Sequence, residues 1–320
     1  MSLPPVLRDR LRLPVVASPM FIVSTPELVI AQSTSGIVGS FPTLNARPRS
    51  ALREWLQRIT RELAKHDADH PEAPSAPFAV NLIVHKTNSR LEEDLATVVE
   101  FEVPIIITSL GARADVNDAV HSYGGIVLHD VISNRFAHKA VEKGADGLIA
   151  VAAGAGGHAG TLSPFALVQE IRDWFDGPLL LSGSIAHGRS ILAAQAAGAD
   201  LAYVGSAFIA TDEANSEGRY KQMIVDSTAA DIVYSDLFTG VHGNYLRGSI
   251  EAAGLDPAAL PGSDPSAMDF GNRDIEAKAW RDIWGAGQGV GAVGAVLPAA
   301  AVVERLAGEY AAAKRRLRCM

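Results

Sequence analysis

The stretch Gly154-Ala155-Gly156-Gly157-His158-Ala159-Gly160 sets one imidazole among four glycines. An imidazole titrates near neutral pH, so it can take and return a proton under physiological conditions. Glycines lack a β-carbon, so a ligand can lie close to the main chain, and so many make a poor helix and a poor strand. The stretch directly follows Gly147–Ala153, an apolar run that reads as a buried strand. On its own it also suits an ordinary turn with a surface histidine. The other strand ends decide its meaning.

Two further segments carry chemistry of a related kind. Ser182-Gly183-Ser184 and Gly205-Ser206 each end an apolar run and precede a helical stretch. Backbone N–H groups in such turns, the helix dipole behind them and the hydroxyls of Ser184 and Ser206 suit a phosphate. Two such turns on successive units, just after a glycine loop, favour a phosphate over coincidence. With the open backbone at the first and sixth strand ends, they suggest a phosphorylated planar cofactor such as FMN. The remaining strand ends offer Ser18-Pro19-Met20, Phe41-Pro42-Thr43, Asn81 with His85-Lys86, Ser109-Leu110-Gly111 and His129-Asp130. No His-Glu-x-x-His or paired-cysteine pattern exists, and nothing in the spacing of His129, Asp130 and His242 demands a metal, so none is expected. Gly154-x-Gly156-Gly157 lacks the dinucleotide spacing, and Ser182-x-Ser184 lacks the glycines of a nucleophile elbow.

Positioning these residues requires a repeating scaffold. Apolar runs without polar alternation occur at Leu13–Ser18, Gly36–Ser40, Phe78–Ile83, Pro104–Thr108, Gly125–His129, Gly147–Ala153, Pro178–Ser182 and Leu201–Val204. Such runs are expected of parallel strands covered on both faces. Helices are expected between them, at Arg49–Lys65, Asn134–Lys143, Ala166–Phe175 and Arg189–Ala197. The phrase Gly-Ala-Asp stands before two of the strands, at Gly144-Ala145-Asp146 and Gly198-Ala199-Asp200. Eight strands alternating with helices predict an α/β chain folded as a (β/α)8 TIM barrel, with a doubly wound open sheet as the second choice. After Thr211 no strand repeat is visible. Helices are expected at Glu213–Val225, Asp274–Ile283 and Pro298–Arg316, with a polar loop around Thr239–Gly243. The expected organisation is a barrel over residues 1–211 and 274–320 and a smaller, mainly helical insertion over 212–273.

Bulk properties narrow the partners. The formal charge of −8 on 320 residues argues against nucleic acid or an anionic membrane. One cysteine, Cys319, allows no intramolecular disulfide and suits a reducing cytoplasm. No apolar run is long enough to span a bilayer, and the N-terminus lacks a secretory signal. A homo-oligomer stays open.

These residues resemble the FMN-dependent nitronate monooxygenases, formerly called 2-nitropropane dioxygenases, along nearly the whole chain. The strongest pieces are Ala155–Gly160, Leu181–Ile185, Tyr203–Thr211 and Ala286-Gly287-Gln288-Gly289. The resemblance implies a (β/α)8 barrel with FMN at its strand ends. Pro19 and Met20 would line the flavin, Asn81 would hydrogen-bond it, and Gly156 and Gly157 would pack against it. Gly183, Ser184, Gly205 and Ser206 would hold the phosphate, with Ser182, Tyr203, Val204 and Gln288 from the matching motifs and Asp130 close by. His158 would be the base that removes the α-proton of a neutral nitroalkane, its pKa near neutrality. The implied reaction oxidises nitronates with O2 to carbonyl compounds and nitrite. Two departures stand out. Relatives that reduce quinones with NADH carry lysine where this chain has Asp130, and many monooxygenases carry glutamine near Val151 or Ala152. The alternatives are an NAD(P)H-dependent flavin reductase of quinones or enoyl thioesters, and a non-flavin barrel enzyme acting on a sugar phosphate.

Overall fold

The structure, a computed structural model, describes residues 3–262 and 282–319. Eight parallel strands form one sheet: β1 (Val15–Ala17), β2 (Gly39–Pro42), β3 (Phe78–Ile83), β4 (Ile105–Ser109), β5 (Ile126–Val131), β6 (Gly147–Val151), β8 (Leu179–Ser182) and β9 (Leu201–Val204). Neighbours run in the order β1-β9-β8-β6-β5-β4-β3-β2. A parallel bridge between Val16 and Val38 joins the two ends, with Ala17 N–H donating to the Val38 carbonyl at 2.8 Å. The sheet therefore closes as a barrel, as the eight apolar runs predict, and the open-sheet alternative is set aside.

Helices cover the outside: α2 (Pro26–Thr34), α3 (Ala51–Asp69), α4 (Leu91–Glu100), α5 (Ala114–His121), α6 (Asn134–Glu142), α7 (Pro164–Arg172), α8 (Gly188–Ala196) and the C-terminal helix Ala299–Arg318, with a short α1 (Pro5–Arg8) before β1. Two strand boundaries move for a physical reason. Gly36, at φ +89°, ends α2 where no other residue fits well, so β2 starts three residues later than its apolar run. Gly154, at φ +83°, turns the chain, and β6 stops at Val151.

The barrel interior is layered, because alternate residues of each strand point inward. One buried cluster holds Val16, Val38, Ala79, Ile107, Leu128, Ile149, Leu180 and Leu201. The next inward position along these strands carries Ser18, Ser40, Asn81, Ser109, Asp130, Val151, Ser182 and Tyr203. The interior thus turns from aliphatic to almost wholly polar at the C-terminal end. A packed core gains nothing from such a layer; the floor of a polar site does.

After β9 come α9 (Ser206–Ile209) and α10 (Gly218–Asp226). The helix expected over Glu213–Val225 begins only at Gly218, because residues before it are used elsewhere. The Glu213 carboxylate accepts the Ala299 N–H at 2.8 Å, and Asn215 bonds Val23 and Ile22. Residues 232–246 hold strands that the apolar-run reading did not mark. β10 (Ile232–Ser235) and β11 (Gly243–Leu246) pair antiparallel, and β11 pairs in turn with the two-residue β7 (Gly157–His158). α11 (Arg247–Ala252) follows. The helix expected over Asp274–Ile283 lies outside the described residues except for its last two positions.

Candidate functional site

A cleft of about 1300 Å³ opens above the polar layer, at the C-terminal ends of the strands. Ligand pockets usually span ~300–1,000 Å³, so this one has room for more than one small molecule. Pro19, Met20, Asn81, Asp130, Gly156, Gly157, His158, Ser182, Gly183, Ser184, Tyr203, Gly205 and Ser206 all line it. Two expected site residues do not. Val204 is 1% exposed and packs in the hydrophobic core around the barrel. Gln288 braces the glycine loop from behind: its N–H donates to the Gly154 carbonyl at 2.9 Å.

The backbone around the cleft is strained in a telling pattern. Among the described residues four non-glycine residues have positive φ, and three of them, Ile22 (+67°), Leu110 (+62°) and Ser184 (+56°), line the cleft. Each costs about 1–3 kcal/mol, which folds keep mainly where a loop must hold a ligand or a reacting group. Isoleucine is β-branched and tolerates this region least.

On the floor, a chain of hydrogen bonds crosses three strands. Asn81 Nδ2 donates to the Ile107 carbonyl at 3.1 Å and to Ser109 Oγ at 2.8 Å. Ser109 Oγ donates to Asp130 Oδ2 at 2.5 Å. Burial pushes the Asp130 carboxyl up to about 6, the Ser109 hydroxyl pulling the other way. Tyr203 is raised well above an ordinary tyrosine by burial first and by the Asp130 charge second. Beside the floor, Thr108 Oγ1 and His129 Nδ1 are 2.6 Å apart, and burial pushes His129 down to about 4.

His158 enters from the side on β7. Its Nε2 lies 3.0 Å from Thr239 Oγ1, and the Thr239 hydroxyl donates to the Val241 carbonyl at 3.0 Å. With the Thr239 hydroxyl turned to that carbonyl, its oxygen accepts from a ring protonated at Nε2. Burial pushes the imidazole down to about 4. That is below the near-neutral value expected from the resemblance: the half-buried ring, set between β11 and the glycine loop, loses part of the water that would stabilise its charge.

The glycine loop is clamped by other backbone rather than left open. Asn244 Nδ2 donates to the Ala155 carbonyl at 2.6 Å, Tyr234 OH to the Ala159 carbonyl at 3.0 Å, and Ala286 N–H to the Asn244 carbonyl at 3.1 Å. Gly287 N–H donates to Ser206 Oγ at 2.8 Å. A β-carbon on Gly156 would lie 2.7 Å from Gly287 N. This glycine serves the approach of residues 286–287, a role beyond the ligand contact expected of it.

At the phosphate turns the outcome is divided. Position 183 needs glycine on two counts: its φ is +135°, and a β-carbon there would meet the Ala153 carbonyl at 2.7 Å. The start of α8, by contrast, is already occupied: Glu309 Oε2 accepts the Gly188 N–H at 2.8 Å, and His187 caps Arg189 N–H. Any anion at this end faces the turns themselves, not that helix terminus. Sequence reasoning marked the region Thr239–Leu246, Asn244 included, as one that could close over the substrate without fixing its role, and missed Tyr220 and Trp284. Tyr220 and Trp284 stack at 4.9 Å and line the cleft. None of Thr239, Asn244, Tyr220 and Trp284 belongs to a local motif; only the antiparallel β10–β11 pairing brings Thr239 and Asn244 to the loop. Among the described residues no group of three or more His, Cys, Asp or Glu could hold a metal ion, and no described helix is long and apolar enough to cross a membrane.

Residues 7–308 match the model of the nitronate monooxygenase family. The chain belongs to that family. This nitronate monooxygenase family member is 26% identical to a nitronate monooxygenase of Paraburkholderia phytofirmans, over 95% of this chain and 94% of that one. It is 24% identical to a carboxyl-CoA dehydrogenase of Rhodococcus jostii whose substrate is a hydroxylated methyl-oxo-octahydroindene, over 75% of this chain and 68% of that one. Among solved structures, nitroalkane oxidase from Streptomyces ansochromogenes superposes with a TM-score of 0.82 at 24% identity, covering 98% of this chain and 99% of that one. FabK from Thermotoga maritima superposes with a TM-score of 0.77 at 25% identity, covering 98% and 96%. The protein is a flavin-dependent oxidoreductase of this family.

Proposed function

We propose that the cleft holds FMN and that the enzyme oxidises alkyl nitronates with O2 to carbonyl compounds and nitrite. The fit of the cofactor rests on the floor and the turns. Asn81 has both amide protons engaged, so its carbonyl oxygen is the atom left to accept from a ring N–H. A β-carbon on Gly205 would come within 3.3 Å of Ser18 Cβ and 3.7 Å of Met20 Sδ, so the bare backbone keeps this cup wider. Gly183, Gly205 and Ser206 would offer amides, and Ser184 and Ser206 hydroxyls, to a phosphate at the same end, the Ser184 amide being engaged by the Gly154 carbonyl at 3.2 Å. When bound, FMN supplies the electron acceptor for the nitronate and the donor for O2.

The observation that carries the reading is the seating of His158. Thr239 holds one ring nitrogen and so orients the imidazole, which would serve as the base for the α-proton. Because burial holds the imidazole near 4, it is neutral at pH 7 and so in the form that accepts a proton, while being a weaker base than an exposed imidazole. Met20, Val151 and Ala155 give the substrate apolar walls, which keep water from the developing carbanion. The test is turnover of nitroethane and of preformed ethyl nitronate by the FMN-loaded enzyme, with nitrite as the readout. Absence of nitrite from either substrate refutes the proposal.

A second reading, NAD(P)H-dependent reduction of a quinone or an enoyl thioester, is favoured by the mouth of the cleft. Ile132 and Phe136 are 44% and 46% exposed there, and Lys139 and Lys143 line the same opening. An apolar rim beside two cations suits a long substrate with an anionic tail. Anaerobic addition of NADH decides: rapid bleaching of the flavin by NADH alone supports this reading against the oxygenase.

A further inference from the structure

The floor of the cleft holds a carboxyl whose surroundings are unusual for a charged group. Both hydrogen bonds of the Asn81–Ser109–Asp130 chain point their hydrogens toward Asp130, which ends the chain. Ser109 engages only Oδ2. Among the described residues no Lys, Arg or His forms an ion pair with Asp130. The residue is half-buried and lines the cleft, so some water still reaches it. The other titratable groups facing this floor are fixed in charge near neutrality. Tyr203 from β9 is raised and stays neutral. His129, next to Asp130 on β5, and His158 from β7 are both lowered to about 4 and are neutral too.

A planar ring laid on the floor would remove the remaining water from this carboxyl. Among the described residues no cation pairs with it to offset that loss, so the charged form suffers more than the neutral one. The protonated form also has an O–H to donate to a ring carbonyl or nitrogen, which the carboxylate lacks. We infer that Asp130 takes up a proton from solvent when the flavin binds, so that FMN affinity is coupled to the protonation of this residue. The inference rests on the FMN reading above. The sign follows from linkage: a group whose pKa rises on binding favours binding at low pH and opposes it as pH rises past its free-state value. Here that value is about 6.

The test is an FMN titration, followed by flavin fluorescence, from pH 5 to 9 on the wild type and on Asp130→Asn, which mimics the neutral acid. The FMN phosphate titrates near ~6 in both proteins, so its effect drops out of their ratio. The expected result is a wild-type Kd that rises relative to Asp130→Asn by up to about tenfold per pH unit above pH ~6. Ser109→Ala, which removes the bond that holds the carboxyl down, should shift the onset to higher pH. Calorimetry at pH 7 in two buffers of different ionisation enthalpy should show proton uptake by the wild type in excess of that by Asp130→Asn. A flat Kd ratio with FMN still bound, or an unchanged onset in Ser109→Ala, overturns the inference and leaves the FMN reading standing. A wild type that binds no FMN at any pH overturns both.

Discussion

Gly156→Ala separates what the glycine loop does for the protein from what it does for a ligand. The added β-carbon would lie 2.7 Å from the Gly287 amide nitrogen and 3.0 Å from the Ala286 carbonyl carbon, where ordinary contact begins at 3.4 Å. Both obstacles are main chain, so no side chain can rotate away. Residues 154–156 and 286–288 would have to part by roughly 0.7 Å. That strains the bond from Gln288 N–H to the Gly154 carbonyl and the linkage of Ala155 and Ala286 through Asn244. Overpacking of this kind costs about 1–3 kcal/mol, a large part of a domain's ~5–15 kcal/mol, and lowers Tm by several degrees. His158 lies two residues on, so turnover should fall as well. The control is Gly294→Ala, whose β-carbon meets nothing within 4 Å; its stability should change by less than about 0.5 kcal/mol. Thermal unfolding of both variants without FMN, followed by circular dichroism, reads the difference. If Gly156→Ala melts with the wild type and loses only FMN affinity, the glycine serves the ligand and the backbone argument is wrong.

His158→Ala should keep FMN bound and lose about 10²–10⁴-fold in turnover of neutral nitroalkanes, with a smaller loss on preformed nitronates, which need no base; loss of FMN instead would make the residue structural. Since the base must be unprotonated and sits near 4, the acid limb of kcat/KM for a neutral nitroalkane should stay flat from pH 8 to about 5 and fall tenfold per unit only below about 4; a limb near 6.5 would contradict the burial argument. Thr239→Val removes the partner of Nε2 and should lower kcat by about tenfold with little change in KM, the loss of one orienting bond of ~1–1.5 kcal/mol; equal rates would show that the ring needs no such anchor. Asp130→Asn should stabilise the flavin-free protein at pH 8 by at most about 3 kcal/mol and not at pH 4. The folded carboxyl is raised from 3.8 to about 6, so its stabilising contribution is present at low pH and lost as pH rises between those values. Urea melts at the two pH values check this.

The barrel was legible because its information is local. Each strand is a short apolar run, and each helix stop is a glycine such as Gly144 or Gly198, both at positive φ in the structure. The strand ends, and so most of the cleft lining, follow from that alone. What was illegible depends on pairing across distance. β10 and β11 are four residues each, and Gly243-Asn244-Tyr245 carries no apolar run to mark it. Their strand character comes from docking against Gly157 and His158, more than 80 residues earlier in the chain. Glu213 and Asn215 carry a helical pattern that loses to their tertiary hydrogen bonds. The partial burial of His158, which lowers its pKa, has the same origin: it comes from pairing with β11, which no local spacing announces.

The pairing of β7 with β11 also changes what the histidine loop can be. In a plain barrel this loop would end at the rim and its imidazole would be wet. Here Gly157 and His158 are the edge strand of a three-stranded sheet, and Tyr245 on β11 belongs to a small core of its own with Ile250 and Ile283. The base is therefore fixed to the segment after the barrel, while the polar floor with Asp130 belongs to the barrel strands. Movement of the β10–β11 hairpin relative to the barrel would move His158 relative to the floor and leave the floor itself unchanged. Substitutions in the hairpin, at Thr239 or Asn244, should thus act on proton abstraction before they act on FMN affinity. Substitutions at Ser109 or Asp130 should do the reverse. A hairpin variant that loses FMN while keeping its rate per bound flavin would break that division of labour.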